Sequence, residues 1–189
     1  MAGGAFAVRD GKVAPAKGIA LDHPGHAAEA QRSVCVYDQT MRAFFEFLLP
    51  PVVDNSIRGW RFPTYLFTLI AIVSTVRSLI HLLAPDGGAG SIAGVDLSAG
   101  APAIIFSFAL WGSAQLVYAF LQLTVAFRYR SLVPFLYLLL LIETLLRMLV
   151  GHIKPITFSH KPPGEYGNYV VLPVAALLLV LSFTTRHRS

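Results

Sequence analysis

Arg77, Glu143 and Arg147 are the residues best placed to do chemistry in this sequence, because each is a formal charge inside a run of otherwise apolar chain. A charge at bilayer depth is expensive unless it is paired or hydrated, so such residues face a protein interior and mark a site. Their spacing brings neighbours. Ser74, Arg77, Ser78 and His81 follow at i, i+3, i+4 and i+7, which places all four on one stripe of a helix. Gln115, Tyr118 and Gln122 share one side of the next apolar run, with Trp111 a turn away from Gln115. Glu143 and Arg147 stand four apart in the order that favours an ion pair within a helix, and His152 closes that run. Arg77, His81, Gln115, Tyr118, Glu143, Arg147 and His152 are therefore the candidate ligand-binding residues.

The charge balance of this set selects its chemistry. Two arginines, two histidines and the adjacent Lys154 stand against one glutamate, a bias that suits a carboxylate, a phosphate, a lipid headgroup or a quinone oxygen. A metal cation would want several carboxylates, so no metal site is expected. Three other readings stay open. The same residues could form a satisfied polar network joining helices. Glu143 could be the coupling carboxylate of a small oligomeric transporter or proton-coupled exchanger. His81 and His152, at matching depth on two helices, would also permit two axial ligands of a haem, with Arg77 and Arg147 near its propionates. No cofactor is specified. Enzymatic constellations are poor: there is no HExxH, no nucleophile elbow and no pair of carboxylates, which favours a non-enzymatic protein.

The elements that must position these residues are read from hydropathy. Hydrophobic residues make up 55% of the chain, charged residues 13%, and mean hydropathy is +0.62, the balance of an integral membrane protein. About 20 apolar residues at 1.5 Å each cross a hydrocarbon core of roughly 30 Å. Four spans follow, at Pro63 to Ala84, Pro102 to Phe127, Ser131 to His152 and Asn168 to Thr184, the last with Pro173 near its start. Only Arg128, Tyr129 and Arg130 separate spans two and three, which predicts antiparallel neighbours. The last span is almost purely apolar and reads as a lipid-facing wall.

Orientation comes from Lys and Arg in the connections. Arg58 and Arg61, Arg128 and Arg130, and Arg186 and Arg188 fall on one side, while the connection from Pro85 to Ala101 has no Lys or Arg and carries Asp86 and Asp96. Both termini are expected in the cytoplasm and the polar residues in the outer leaflet of what reads as a bacterial inner membrane. The formal charge of +5 is then a topology signal, and nucleic acid is not an expected partner. The glycine-rich first external connection reads as flexible, a linker or a lid. The Pro/Gly-rich second, from Ile153 to Gly167, reads as stiffer and able to hold His160, Lys161 and Glu165 over the bundle.

The region before the first span divides in two. Residues 1–33 lack the apolar run of a secretory signal and read as a disordered cytoplasmic tail, with Gly3 one place too late for myristoylation. Residues 34–62 form an interfacial segment. From Asp38, Met41, Phe44, Phe45, Leu48 and Leu49 recur on one face with Asp38, Arg42 and Glu46 opposite, an amphipathic helix ended by Pro50 and Pro51. It lies in the headgroup region or packs on a partner subunit. Residues 63–184 are the membrane domain, and 185–189 a basic tail. Cys35 is the lone cysteine and reads as a free thiol.

Four short-looped spans, a polar end to the third (Glu143 to Arg147, then Gly151) and a Pro/Gly turn from Pro162 to Gly167 before a short apolar last span resemble the small bacterial DoxX-like membrane proteins. The resemblance covers about the last 125 residues and is architectural. It implies a four-helix bundle, in some members an accessory to redox or quinone-linked membrane processes, and it transfers no functional residue. The expected fold class is thus an all-α integral membrane protein, an antiparallel four-helix transmembrane bundle with an N-terminal interfacial amphipathic helix. Its expected partners are the lipid bilayer and a membrane complex or second copies of itself.

Overall fold

A computed structural model describes residues 6–9, 12–15, 24–57, 59–156, 158–160 and 162–184. Arg58, Lys161, Arg186 and Arg188, on which part of the orientation and loop reading rests, lie outside the described residues. The chain forms two compact units that divide between Glu46 and Phe47.

In the first unit, β1 (Phe6–Arg9) and β2 (Lys12–Pro15) pair antiparallel, with Val8 opposite Val13. The helix α1 (Pro24–Leu48) follows in the chain and ends two residues beyond the division. Both elements begin in sequence read as a disordered tail. The helix starts at Pro24 rather than near Asp38 because Ala27, Ala28 and Ala30 are strong helix formers that contribute nothing to an amphipathic stripe. Val36, Tyr37, Phe44 and Phe45 are exposed along it, and Arg42 pairs with Asp38 at 3.2 Å one turn away.

Among the described residues, the second unit holds four helices long and apolar enough to cross a membrane. These are α2 (Arg61–Leu83), α3 (Ala101–Arg128), α4 (Val133–Ile153), preceded by a 3-10 turn at Arg130–Leu132, and α5 (Pro163–Phe183). Prolines at the first turns of α3, α4 and α5 sit where a missing amide costs nothing. The largest departure from hydropathy is α5, which begins at Pro163, five residues before Asn168, so that Pro173 falls inside the helix. Its first turn includes Gly164, Glu165 and Tyr166, too polar for a hydropathy window, yet Pro163 starts the helix and Glu165 complements its dipole.

The helices do not share their contacts evenly. The closest packing is α2 on α3, and the reason is side-chain size. Ala71, Ser78, Gly112 and Ala119 are all buried, and small residues let helices approach where large ones hold them apart. α4 packs mainly along α5, burying Ala175, Leu178 and Ser182, so the last span supplies core as well as outer wall. α3 and α4 meet along a narrower seam than their short connection implies. The apolar core gathers at the end of the unit where that connection lies. It comprises Phe67 of α2, Val125 and Ala126 of α3, Val133, Leu136, Tyr137 and Leu140 of α4, and Ala175 and Leu178 of α5.

Polar contacts lock the same end. The Tyr137 hydroxyl donates to the Pro63 carbonyl at 2.7 Å, and its ring meets Phe67 edge-on at 5.4 Å. The Ser131 hydroxyl donates to the Asp54 carbonyl at 2.9 Å and accepts from the Asp54 amide at 3.0 Å. Phe47 stacks on Phe183 at 4.1 Å. Past Thr144 no residue of α4 is buried, and Leu145, Leu146, Leu149, Val150 and Ile153 are exposed. α4 is therefore held tightly at the α3–α4 turn and is open along its second half, beside the polar residues, whereas α2 and α3 stay closely packed at His81 and Gly112.

Candidate functional site

α4 supplies the anchor of this polar region. One helical turn separates Glu143 from Arg147, and the guanidinium closes on the carboxylate at 2.7 Å, with both side chains about 30% exposed. α3 contributes the second contact, a hydrogen bond of 3.2 Å from the Gln115 amide nitrogen to the same Glu143 oxygen. That bond is the polar bridge across the narrow α3–α4 seam. Tyr118, one turn further along α3, lies within electrostatic reach of Glu143 and beside the Gln122 side chain.

Arg77 enters from α2 on different terms. Its guanidinium lies over the Trp111 ring at 4.8 Å from the centroid, a cation–π contact, and it feels the charges of both Glu143 and Arg147. It makes no ion pair among the described residues. Glu143 is already engaged by Arg147 and Gln115, so the cluster carries one positive charge with no carboxylate of its own. Trp111 gains importance that composition alone does not give it. The signal was present, since Trp111 and Gln115 are four apart and share a helical face.

His81 has a different task. It is buried at 6% exposure, its Nδ1 is 2.8 Å from the Gly87 carbonyl, and its ring packs against Trp111 at 4.9 Å and Phe108 at 5.8 Å. It anchors the α2–α3 loop to the helices. His152 is exposed on the last turn of α4. The structure thus joins Arg77, Gln115, Tyr118, Glu143 and Arg147 in one polar region, borders it with His81 through Trp111, and leaves His152 apart.

The α2–α3 loop is built rather than slack. The Asp86 carboxylate accepts from the amides of Ser91 at 2.7 Å and Gly88 at 2.9 Å, which holds its pKa down at about 2. Asp96 is likewise lowered, by the amide and hydroxyl of Ser98. Gly88, at φ 73°, presses on the His81 ring, where a side chain would be strained in backbone and crowded in space. The α4–α5 connection is tied to this loop by the Ser159 amide, which donates to the Gly94 carbonyl at 2.8 Å, and by an isolated bridge between Val95 and Phe158. Runs of glycine suggest flexibility from sequence. Here they permit the left-handed turns and close approaches that fold the loop.

Chemically, the region gathers two guanidinium groups, one carboxylate and the side-chain amide of Gln115 around the α3–α4 seam. No group of three or more His, Cys, Asp or Glu able to hold a metal ion occurs among the described residues. Compared with known proteins, the chain matches no family model, no curated protein and no solved structure. The residues themselves carry the functional argument.

Proposed function

We propose that this is a non-enzymatic integral membrane protein, a binder of small anions or anionic lipid-like molecules acting alone or as an accessory subunit. In this reading α2 to α5 cross the membrane up and down in turn as an antiparallel bundle, with both termini cytoplasmic. α1 lies in the cytoplasmic headgroup region, its exposed Phe44 and Phe45 toward the acyl chains. The polar region opens in the outer leaflet. Kinship with the DoxX-like proteins belongs to the same proposal and rests on architecture.

The observation that carries the reading is Arg77. A guanidinium is always charged and offers five donors in a fixed fork, and at membrane depth it needs an acceptor. Trp111 gives it a π face but accepts none of those hydrogen bonds. A carboxylate or phosphate would supply what the protein omits. The apolar surface supports the membrane setting and a place in a larger assembly: only 11% of the apolar window of α3 is buried within the chain, so lipid or other subunits must cover the rest.

The test is the melting temperature of the purified protein in mild detergent, scanned with inorganic phosphate, acetate, phosphatidylglycerol, phosphatidylcholine and a short-chain quinone. An anion should raise it for the native protein and not for Arg77→Gln. If no anion shifts either protein, the arginines are structural and the binding reading fails. If phosphate and phosphatidylglycerol both act, a headgroup is the ligand; if acetate acts alone, a small carboxylate is.

A further inference from the structure

Gln122 is 2% exposed, and its Oε1 is buried with no hydrogen-bond partner, the single buried side-chain polar atom so placed among the described residues. An amide oxygen at such a position is expensive unless something donates to it. It stands at the inner end of the stripe formed by Gln115, Tyr118 and Gln122, and Tyr118 links it to the neighbourhood of Glu143. On the inward side the chain closes completely. Val125 and Ala126, one turn along α3, belong to the apolar core with Phe67, Leu136 and Tyr137. On the outward side α2 and α3 stay closed through Ser78, Gly112 and Ala119, but α4 does not: Glu143 and Arg147 remain about 30% exposed and no residue of α4 past Thr144 is buried.

We propose that water enters along the α3–α4 seam from the end covered by the α2–α3 loop, passes Gln115 and Glu143, and ends bound to Gln122 Oε1. Tyr118 and Gln122 supply the two polar partners a buried water requires. The seam is a dead end. It wets Glu143 and the arginines from one face of the membrane only and stops at the Phe67, Leu136 and Tyr137 core. The proposal rests on the four-span reading above, but not on the anion. Failure of every anion to shift the melting temperature leaves it standing, and a dry Gln122 leaves the Arg77 argument standing.

Thiol chemistry tests it, because thiosulfonates react with the thiolate and a thiol ionises only where water reaches it. In a Cys35→Ser background, Gln122→Cys, Leu136→Cys and Ser91→Cys are treated with methyl methanethiosulfonate in native membranes, and labelling rates are read by mass spectrometry. Ser91 is exposed loop and marks the wet limit, whereas Leu136, 2% exposed in the core, marks the dry one. Gln122→Cys should react at least about tenfold faster than Leu136→Cys, and adding Gln115→Phe to plug the seam should slow it without slowing Ser91→Cys. A rate equal to that of Leu136→Cys, or one indifferent to the plug, overturns the proposal. Gln122→Leu gives an independent measure. With a bare acceptor in the native protein, leucine removes a penalty and raises the melting temperature; with water bound there, it does not. A rise of several degrees would overturn the inference.

Discussion

Gly112 of α3 has no side chain because the Cβ of His81 on α2 occupies the place of one: a Cβ on Gly112 would stand 2.7 Å from it and 2.9 Å from the Leu82 amide nitrogen. The approach of the two helices sets the depth at which Trp111 and Gln115 meet Arg77 and Glu143. Because the crowding atoms include backbone, the helices must separate to admit even a methyl group. Gly112→Ala should destabilise by roughly 1–3 kcal/mol and Gly112→Val by more, read as a lower melting temperature in detergent. Unchanged stability in Gly112→Val would mean that the α2–α3 seam is not packed as described.

Glu143 is the hub of the polar region, and removing its charge leaves the Arg147 guanidinium without its carboxylate. Loss of one partner of a fully buried pair costs about 3–5 kcal/mol, whereas exposed pairs are worth less than about 1 kcal/mol. With both side chains about 30% exposed, Glu143→Gln should fall between these limits, at about 1–3 kcal/mol. Arg147→Met in the Glu143→Gln background should restore part of that loss, because it removes the stranded charge. A double variant no more stable than Glu143→Gln would show that the pair contributes little.

The α2–α3 loop should weaken in acid. Asp86 has its pKa depressed in the folded protein, to about 2 from an ordinary 3.8, chiefly by the amides of Ser91 and Gly88. A depressed carboxylate adds stability that is complete above the unfolded pKa and is lost as pH falls through the folded one. The window is therefore about pH 4 down to about 2, with the loss confined to Asp86 and, in the same direction, Asp96. Protection of the Gly88 and Ser91 amides, their exchange rate relative to an unstructured amide at the same pH, should fall across that window in the native protein. In Asp86→Asn that protection should already be low at pH 6 and change little on acidification.

Much of this was legible in the sequence, and the rest was hidden for identifiable reasons. The spans were readable to within a few residues at three of four helices because apolar runs of that length have few alternatives. The i, i+4 spacing of Glu143 and Arg147 fixed their pairing, since no other partner is nearer on one helix. Helix partnerships were not readable. Arg128, Tyr129 and Arg130 make α3 and α4 consecutive, yet Ala71, Ser78, Gly112 and Ala119 decide that α2 is the close partner of α3, and small residues leave no mark on a hydropathy profile. Helix periodicity put His81 on one stripe with Arg77, but the turn at Gly87 that captures its ring is a tertiary event. The Ala27 to Ala30 stretch shows the same limit from the other side, helix propensity without an apolar face.

Gly94 offers the sharpest test of whether the two loops at the His81 end act as one. It adopts φ 66°, and a Cβ there would meet His160 at 2.8 Å, against both the Nδ1 atom and the carbonyl oxygen. Its own carbonyl accepts the Ser159 amide at 2.8 Å and the Ser159 hydroxyl at 3.0 Å. Gly94→Ala combines backbone strain with a clash, and the two together should cost about 1–3 kcal/mol locally. His160→Ala removes the ring but neither the carbonyl nor the strain, so it should rescue Gly94→Ala only slightly. Hydrogen exchange should then rise both at the Val95 amide, which donates to Ala89, and at Ser159 across the gap, while the Tyr137 end stays protected. Exchange that rose around Val95 alone would show two independent loops, and the joined cap would have to be abandoned.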